Sequence, residues 1–162
     1  MAQNAMTRRQ AFTGAAAAAL AAAWPHAKAR AQGLLANLAP EEPVEKTLQR
    51  LFGSRPIKDG SQAITLELPL IAEDGGNVAM SVEVKSPMTP QSYVKAVYVL
   101  SDKNPRPLNA KFNLTPACGQ AYVAAILRLA DTGDVRAVAE MQDGALLMVK
   151  KSVRVVVAGC AA

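Results

Sequence analysis

The chain has 162 residues, with 18 Lys and Arg against 13 Asp and Glu, two cysteines, one histidine and one tryptophan. Its length suits one domain. The only histidine (His26) and the only tryptophan (Trp24) fall among the first 31 residues. Residues 32–162 therefore hold no Ser-His-Asp or Cys-His nucleophile pair and no histidine metal site.

Residues 1–31 read as an export signal. Arg8-Arg9 lie in a leader without acids, Ala11 to Trp24 is an almost pure alanine run, and Ala27, Ala29 and Ala31 supply two A-x-A cleavage sites. A basic start, a short apolar middle and small residues at a cut site describe a secretory signal. The paired arginines point to the twin-arginine route and a periplasmic location. In Thr7-Arg8-Arg9-Gln10-Ala11-Phe12 the large apolar residue comes one place late, so an ordinary Sec signal is the alternative. The leader holds Arg8, Arg9, Lys28 and Arg30, leaving 14 bases against 13 acids in residues 32–162. The basic excess belongs to the leader and does not indicate nucleic acid.

Gln32 to Pro40 is a small-residue lead-in. Glu41 to Phe52 predicts a short helix: acids come early, Pro43 sits in the first turn, Val44, Leu48, Leu51 and Phe52 fall at helical spacing, and Gly53 ends it. From Gly60 onward the period changes to two. Strands are expected at Ala63–Leu68, Val78–Lys85, Tyr93–Ser101, Ala110–Leu114, Gln120–Ala130, Val135–Met141 and Ala145–Val157. The turn clusters Glu73–Asn77, Ser86–Pro90, Asp102–Pro107, Asp131–Asp134 and Gln142–Gly144 separate them. The alanine-rich Ala121–Ala130 run could also form a helix; its shortness favours a strand. Seven short alternating strands imply an all-β, antiparallel sandwich of immunoglobulin-like architecture, without the Cys…Trp…Cys core of true immunoglobulin domains.

The last segment stops being β-like. Ala158-Gly159-Cys160-Ala161-Ala162 has no side chain large enough to anchor it in a core. It is expected to be an arm that presents the Cys160 thiol roughly 10 Å beyond Val157. The nearest cation, Arg154, and the nearby α-carboxylate of Ala162 do not favour a thiolate. Activation would come from a partner's pocket, which suits a carrier better than an enzyme. Three alternatives stay open: a Cys118–Cys160 bridge in a binding or adhesion module, a partly buried and inert Cys118, and a thiol redox enzyme. No Cys-x-x-Cys supports the last.

The residues then match a known pattern. Leu51-Phe52-Gly53, Pro56-Ile57-Lys58-Asp59-Gly60, Thr65-Leu66-Glu67-Leu68-Pro69 and Ile71-Ala72-Glu73-Asp74-Gly75 come first. Val84-Lys85-Ser86-Pro87-Met88-Thr89, Tyr93-Val94-Lys95-Ala96, Leu114-Thr115-Pro116-Ala117 and Ala137-Val138-Ala139-Glu140-Met141 come next, then Cys160. In order and spacing the chain resembles the SoxY family, sulfur carriers of the bacterial Sox thiosulfate-oxidation system. The resemblance implies an immunoglobulin-like sandwich exported by the twin-arginine route and paired with a SoxZ-like subunit. It also implies a non-enzymatic role with no cofactor. The terminal cysteine would be loaded with thiosulfate by a SoxXA-like cytochrome, relieved of sulfate by a SoxB-like hydrolase and oxidised further by a SoxCD-like enzyme. Carried over to this chain, the functional residue is Cys160, on an arm of Ala158, Gly159, Ala161 and Ala162. The family's usual ending is Gly-Gly-Cys-Gly-Gly; three of those glycines are alanine here, which stiffens the arm. Cys118 is a second departure. The resulting division is a signal at 1–31, a sandwich at 32–157 and an arm at 158–162.

Overall fold

The computed structural model describes residues 40–157. Their elements are α1 (Val44–Phe52), β1 (Ile57–Asp59), β2 (Ile64–Glu67), β3 (Ile71–Asp74), β4 (Val78–Val84), β5 (Val94–Ser101) and β6 (Leu108–Asn113). A 3-10 turn at Pro116–Cys118, then β7 (Ala121–Leu127), β8 (Gly133–Met141) and β9 (Leu146–Val157) complete the order. No described helix is long and apolar enough to cross a membrane.

Two sheets face each other. The smaller runs β2-β4-β7, antiparallel throughout. The larger runs β1-β9-β8-β5-β6, with β3 joining the same edge of β9 as β1. Between them lies a core that includes Leu66, Val82, Val97, Val99, Val123, Ala137, Ala139 and Val153. Apolar residues every second position in β4 and β2 produce this directly, since alternate side chains leave opposite faces of a strand. The architecture is the expected immunoglobulin-like sandwich.

The larger sheet is also covered on its other face. Helix α1 buries Val44 and Phe52 against Ala96, Tyr98 and Leu100 of β5, Val138 of β8 and Leu146 of β9. Strand β5, lying under both layers, is buried at seven of its eight positions. A strand covered on both faces reads as a continuous apolar run. Gly53 stops α1 as expected: it sits at φ +62°, a backbone region that costs glycine nothing, and its N–H donates to the Gln49 carbonyl.

Three sequence expectations are adjusted, and the choice of a strand over a helix at Ala121 holds. The helix starts at Val44, with Pro43 extended at the cap position, so the first turn excludes Glu41 and Glu42. Glu42 instead accepts hydrogen bonds from the Thr47 hydroxyl (2.9 Å) and from Arg50 Nε (2.8 Å). Ala121–Leu127 is a strand, held in register with β4 from Ala121↔Val84 to Leu127↔Val78. The described residues form nine strands, not seven, because β1 and β3 are too short to show a period of their own. Both added strands pair with β9 in parallel, so the larger sheet is not purely antiparallel.

Candidate functional site

Cys160, Ala158, Gly159, Ala161 and Ala162 lie outside the described residues, as does the 1–31 leader. The structure describes the stretch of chain that precedes them, the end of β9. That end is tied on both edges. On one side β3 runs parallel, pairing Ile71↔Arg154, Ala72↔Val155 and Asp74↔Val157. The Arg154 N–H donates to the Leu70 carbonyl (2.9 Å), and the Gly75 N–H donates to the Val157 carbonyl (2.8 Å). On the other side β8 ends at Gly133, opposite Val153. There the Thr132 hydroxyl substitutes for backbone, accepting from the Val155 N–H (2.9 Å) and donating to the Val155 carbonyl (3.3 Å). The chain is thus fixed in the sheet as far as Val157.

The surface around this end of β9 is apolar. Leu70 is 73% exposed, Ile71 56%, Val156 62% and Val157 61%. Exposed Glu73, Asp74 and Arg154 surround them.

Cys118 lies elsewhere. It is free and exposed, on the 3-10 turn between β6 and β7, so the partly buried reading is corrected. The Thr115 hydroxyl is 3.9 Å from its sulfur. This turn precedes Ala121, at the end of β7 opposite Leu127. The arm root belongs to the Leu127 end, since Gly75, bonded to Val157, also accepts from the N–H of Leu129. The length of β7 alone separates the two ends by about 20 Å. Three extended residues from Val157 reach about 10 Å, and a disulfide needs Cα atoms within about 7 Å. This separation speaks against a Cys118–Cys160 bridge within one chain.

Ionisable side chains cluster away from the root. Glu140, buried on β8, accepts from the Tyr98 hydroxyl (2.8 Å) and from Arg55 Nη1 (2.9 Å). Burial pushes the Glu140 carboxyl up, but the bonds from Arg55 and Tyr98 and the Arg55 charge outweigh it, and the net shift is downward. Burial first, then the bonded Glu140 carboxylate, pushes Tyr98 up to about 12. Phe52 meets the Tyr98 ring edge-on, with centroids 4.9 Å apart. Arg136 grips Asp102 through two bonds of 2.6 and 2.7 Å and lies 3.8 Å from Glu45 of α1. Each of these polar groups is satisfied by a neighbour. They fasten α1 and the strand ends. Glu45 and Asp102 also line an open cleft with Pro43, Val44, Lys103, Gly133 and Asp134, and both already partner Arg136. Sequence reading missed them because partners such as Arg55 and Glu140 lie far apart in the chain. Among the described residues no group of three His, Cys, Asp or Glu could hold a metal ion.

The sequence model for the sulfur oxidation protein SoxY matches residues 48–160, more than half of the chain. The chain belongs to the SoxY family. The match spans every described strand and ends on Cys160. Among solved structures, the sulfur carrier protein SoxY from Chlorobium limicola f thiosulfatophilum is similar at 26% identity and a TM-score of 0.58. That likeness covers 68% of this chain and 90% of the Chlorobium chain. A superoxide reductase (neelaredoxin) from Ignicoccus hospitalis is similar at 16% identity and a TM-score of 0.52, over 57% of this chain and 80% of its own. A superoxide reductase-like protein from Thermotoga maritima is similar at 15% identity and a TM-score of 0.52, over 62% of this chain and 93% of its own. These two share the sandwich and say nothing of function. No curated protein sequence matches.

Proposed function

We propose that this chain carries sulfur intermediates covalently on Cys160 during sulfur oxidation, in the periplasm, after export through its twin-arginine leader. The protein is a carrier of the sulfur-oxidation system and not an enzyme. The observation that carries the covalent reading is that the SoxY match runs through β9 and ends on Cys160.

The chemistry asks little of the carrier. Loading joins the Cys160 sulfur to the outer sulfur of thiosulfate. One S–S bond forms, the thiol proton is released, and two electrons pass to a partner c-type cytochrome of SoxXA type. Hydrolysis by a SoxB-like partner adds water across the sulfur–sulfonate bond, giving sulfate, a proton and a Cys160 persulfide. A SoxCD-like partner then takes six electrons from the outer sulfur of the persulfide anion. That sulfur gains three oxygens from water, with release of six protons, and becomes a sulfonate. A second hydrolysis releases it as sulfate and restores the thiol. None of these steps needs an acid or base on the carrier. What the carrier supplies is a thiol on small residues that fit a narrow entrance, held by a strand end that does not give way. A SoxZ-like subunit completes the carrier as a heterodimer. The Cys118–Cys160 alternative draws no support from the ends at which the two segments lie.

Cys160→Ala tests the reading. Intact-mass analysis of periplasmic protein from thiosulfate-grown cells should show sulfur adducts on the wild type and none on the variant. The variant should also fail to support thiosulfate oxidation while keeping wild-type circular dichroism. Wild-type oxidation by Cys160→Ala would refute it.

A further inference from the structure

The outward face of β9 changes character twice along its length. Leu146 and Met148 lie under α1 and are apolar. Beyond the helix the outward positions are Lys150, Ser152 and Arg154, all exposed and polar, as a solvated face should be. The next outward position is Val156, exposed and apolar, with no helix over it. Beside it, β3 repeats the anomaly. Ala72 points into the core, so Ile71 points outward next to Arg154, one rung from Val156. Leu70 precedes it and Val157 ends the strand, both exposed. Apolar side chains scattered singly need no explanation, but a cluster rimmed by charge marks an interaction site. Glu73, Asp74 and Arg154 form such a rim here.

From this cluster we propose that Leu70, Ile71, Val156 and Val157 form a docking collar for the enzymes that act on Cys160, received by an apolar rim around each enzyme's pocket mouth. The proposal rests on the carrier reading and adds where the partner sits. Its argument is reach. Cys160 lies three residues after Val157, so its Cα stays within about 10 Å of the Val157 Cα. An enzyme that encloses that thiol must bring its surface onto the residues around Val157. Those residues are the collar. Four apolar side chains make a small contact, at the weak and transient end of protein interfaces. A carrier that visits a loading, a hydrolysing and an oxidising enzyme in turn needs such a contact, because a tight one would trap it.

The test uses the mature heterodimer and the purified c-type cytochrome of the same bacterium that loads thiosulfate. The double variant Ile71→Ser, Val156→Ser introduces side chains of the kind already present at Ser152, at positions with no core contact to lose. The KM for the carrier should rise tenfold or more, with kcat within twofold. Alkylation of Cys160 by iodoacetamide, which needs no docking, should stay within twofold when measured on the Cys160 peptide. Tyr122→Ser, on the exposed outer face of the smaller sheet, should leave the KM unchanged. A wild-type KM for the double variant overturns the collar, as does an equal rise in Tyr122→Ser. A loss of heterodimer mass in light scattering also overturns it, and makes the patch a standing subunit interface. Failure of the carrier reading is separately visible, because Cys160→Ala would then still accept thiosulfate in the same assay.

Discussion

Removing one oxygen atom from Tyr98 should cost this fold a measurable part of its stability. The Tyr98 ring is 5% exposed, and its hydroxyl donates 2.8 Å to Glu140 Oε2. Tyr98→Phe keeps the ring, its edge-on contact with Phe52 and the Lys111 ammonium 5.1 Å above it. What disappears is one hydrogen bond to a charged acceptor. Such bonds contribute about 1.5–3 kcal/mol. The Glu140 carboxylate, 8% exposed, keeps Arg55 but has nothing to replace the lost donor. Urea denaturation monitored by far-ultraviolet circular dichroism should therefore lose about 1.5–3 kcal/mol at pH 7 with an unchanged m-value. The midpoint temperature should fall by about 5–15 °C. Tyr122→Phe, at an exposed site, should stay within about 0.5 kcal/mol of wild type.

The pH dependence carries a sign. The Glu140 carboxyl lies below its ordinary value of 4.5 in the folded chain. A depressed carboxyl contributes stability that is present above the unfolded pKa and is lost as pH falls through the folded one. Tyr98→Phe removes one of the bonds that lower it. The gap between wild type and variant should be full above about pH 5 and should shrink as pH falls through the lowered pKa of the folded carboxyl. A gap under about 0.5 kcal/mol at pH 7, or one that widens on acidification below pH 4.5, would refute the assignment of a charged acceptor to Tyr98.

Two glycines and the Tyr98 hydroxyl give further expected outcomes. An added Cβ at Gly60 would stand 2.8 Å from Ile64 Cδ1 and 3.1 Å from the Met148 backbone N and O, so Gly60→Ala should cost about 1–3 kcal/mol by urea denaturation. At Gly133 the three atoms nearest the added carbon all belong to the Lys103 side chain, with Cγ at 2.6 Å and Cβ at 3.5 Å, so Lys103 must turn aside but no backbone atom need move; Gly133→Ala should cost less than Gly60→Ala, and equal costs at the two sites would contradict this. On the alkaline side, Tyr98 is raised to about 12, so its neutral form adds stability that is present below pH 10 and is lost as pH rises toward 12. Thermal melts across that range should show a steeper decline for wild type than for Tyr98→Phe, and parallel declines would count against the shift.

Elements whose signal is carried within their own residues were legible in the sequence. Strand β4 shows Val78, Met80, Val82 and Val84 on one face, and Gly53 marks the end of α1. Strands β1 and β3 were not legible. They are three and four residues long, and what makes them strands is the free edge of β9 lying beside them. Alanine gave Ala121–Leu127 no clear local preference, and seven rungs to β4 decided it. The Tyr98–Glu140–Arg55 cluster joins residues 42 and 85 positions apart, beyond any periodicity. The proposed attachment point, Cys160, lies outside the described residues and rests on residue order alone. The apolar collar was not legible, because half of it sits on or beside β3.

Strand β9 explains how one small sandwich meets two opposed demands. The proposed carrier role asks for a thin segment that enters several pockets and for a root that holds against each entry and withdrawal. Along twelve residues β9 borrows stability from one end to serve the other. Its first residues are clamped between α1 and the core, where Leu146 is 1% exposed. Its middle is paired to β8 from Leu146 to Val153, and its last residues keep β3 on one edge and the Thr132 hydroxyl on the other. Tearing the end of β9 loose means opening a ladder whose far part packs on α1 with one face and on the core with the other, among the more costly local openings a domain offers. The clusters that fix the fold sit with α1 and the strand ends near it, so the root can expose apolar side chains to a passing partner without weakening the core. Stability and delivery are thereby assigned to different stretches of one strand, and a substitution in either should be felt mainly in its own.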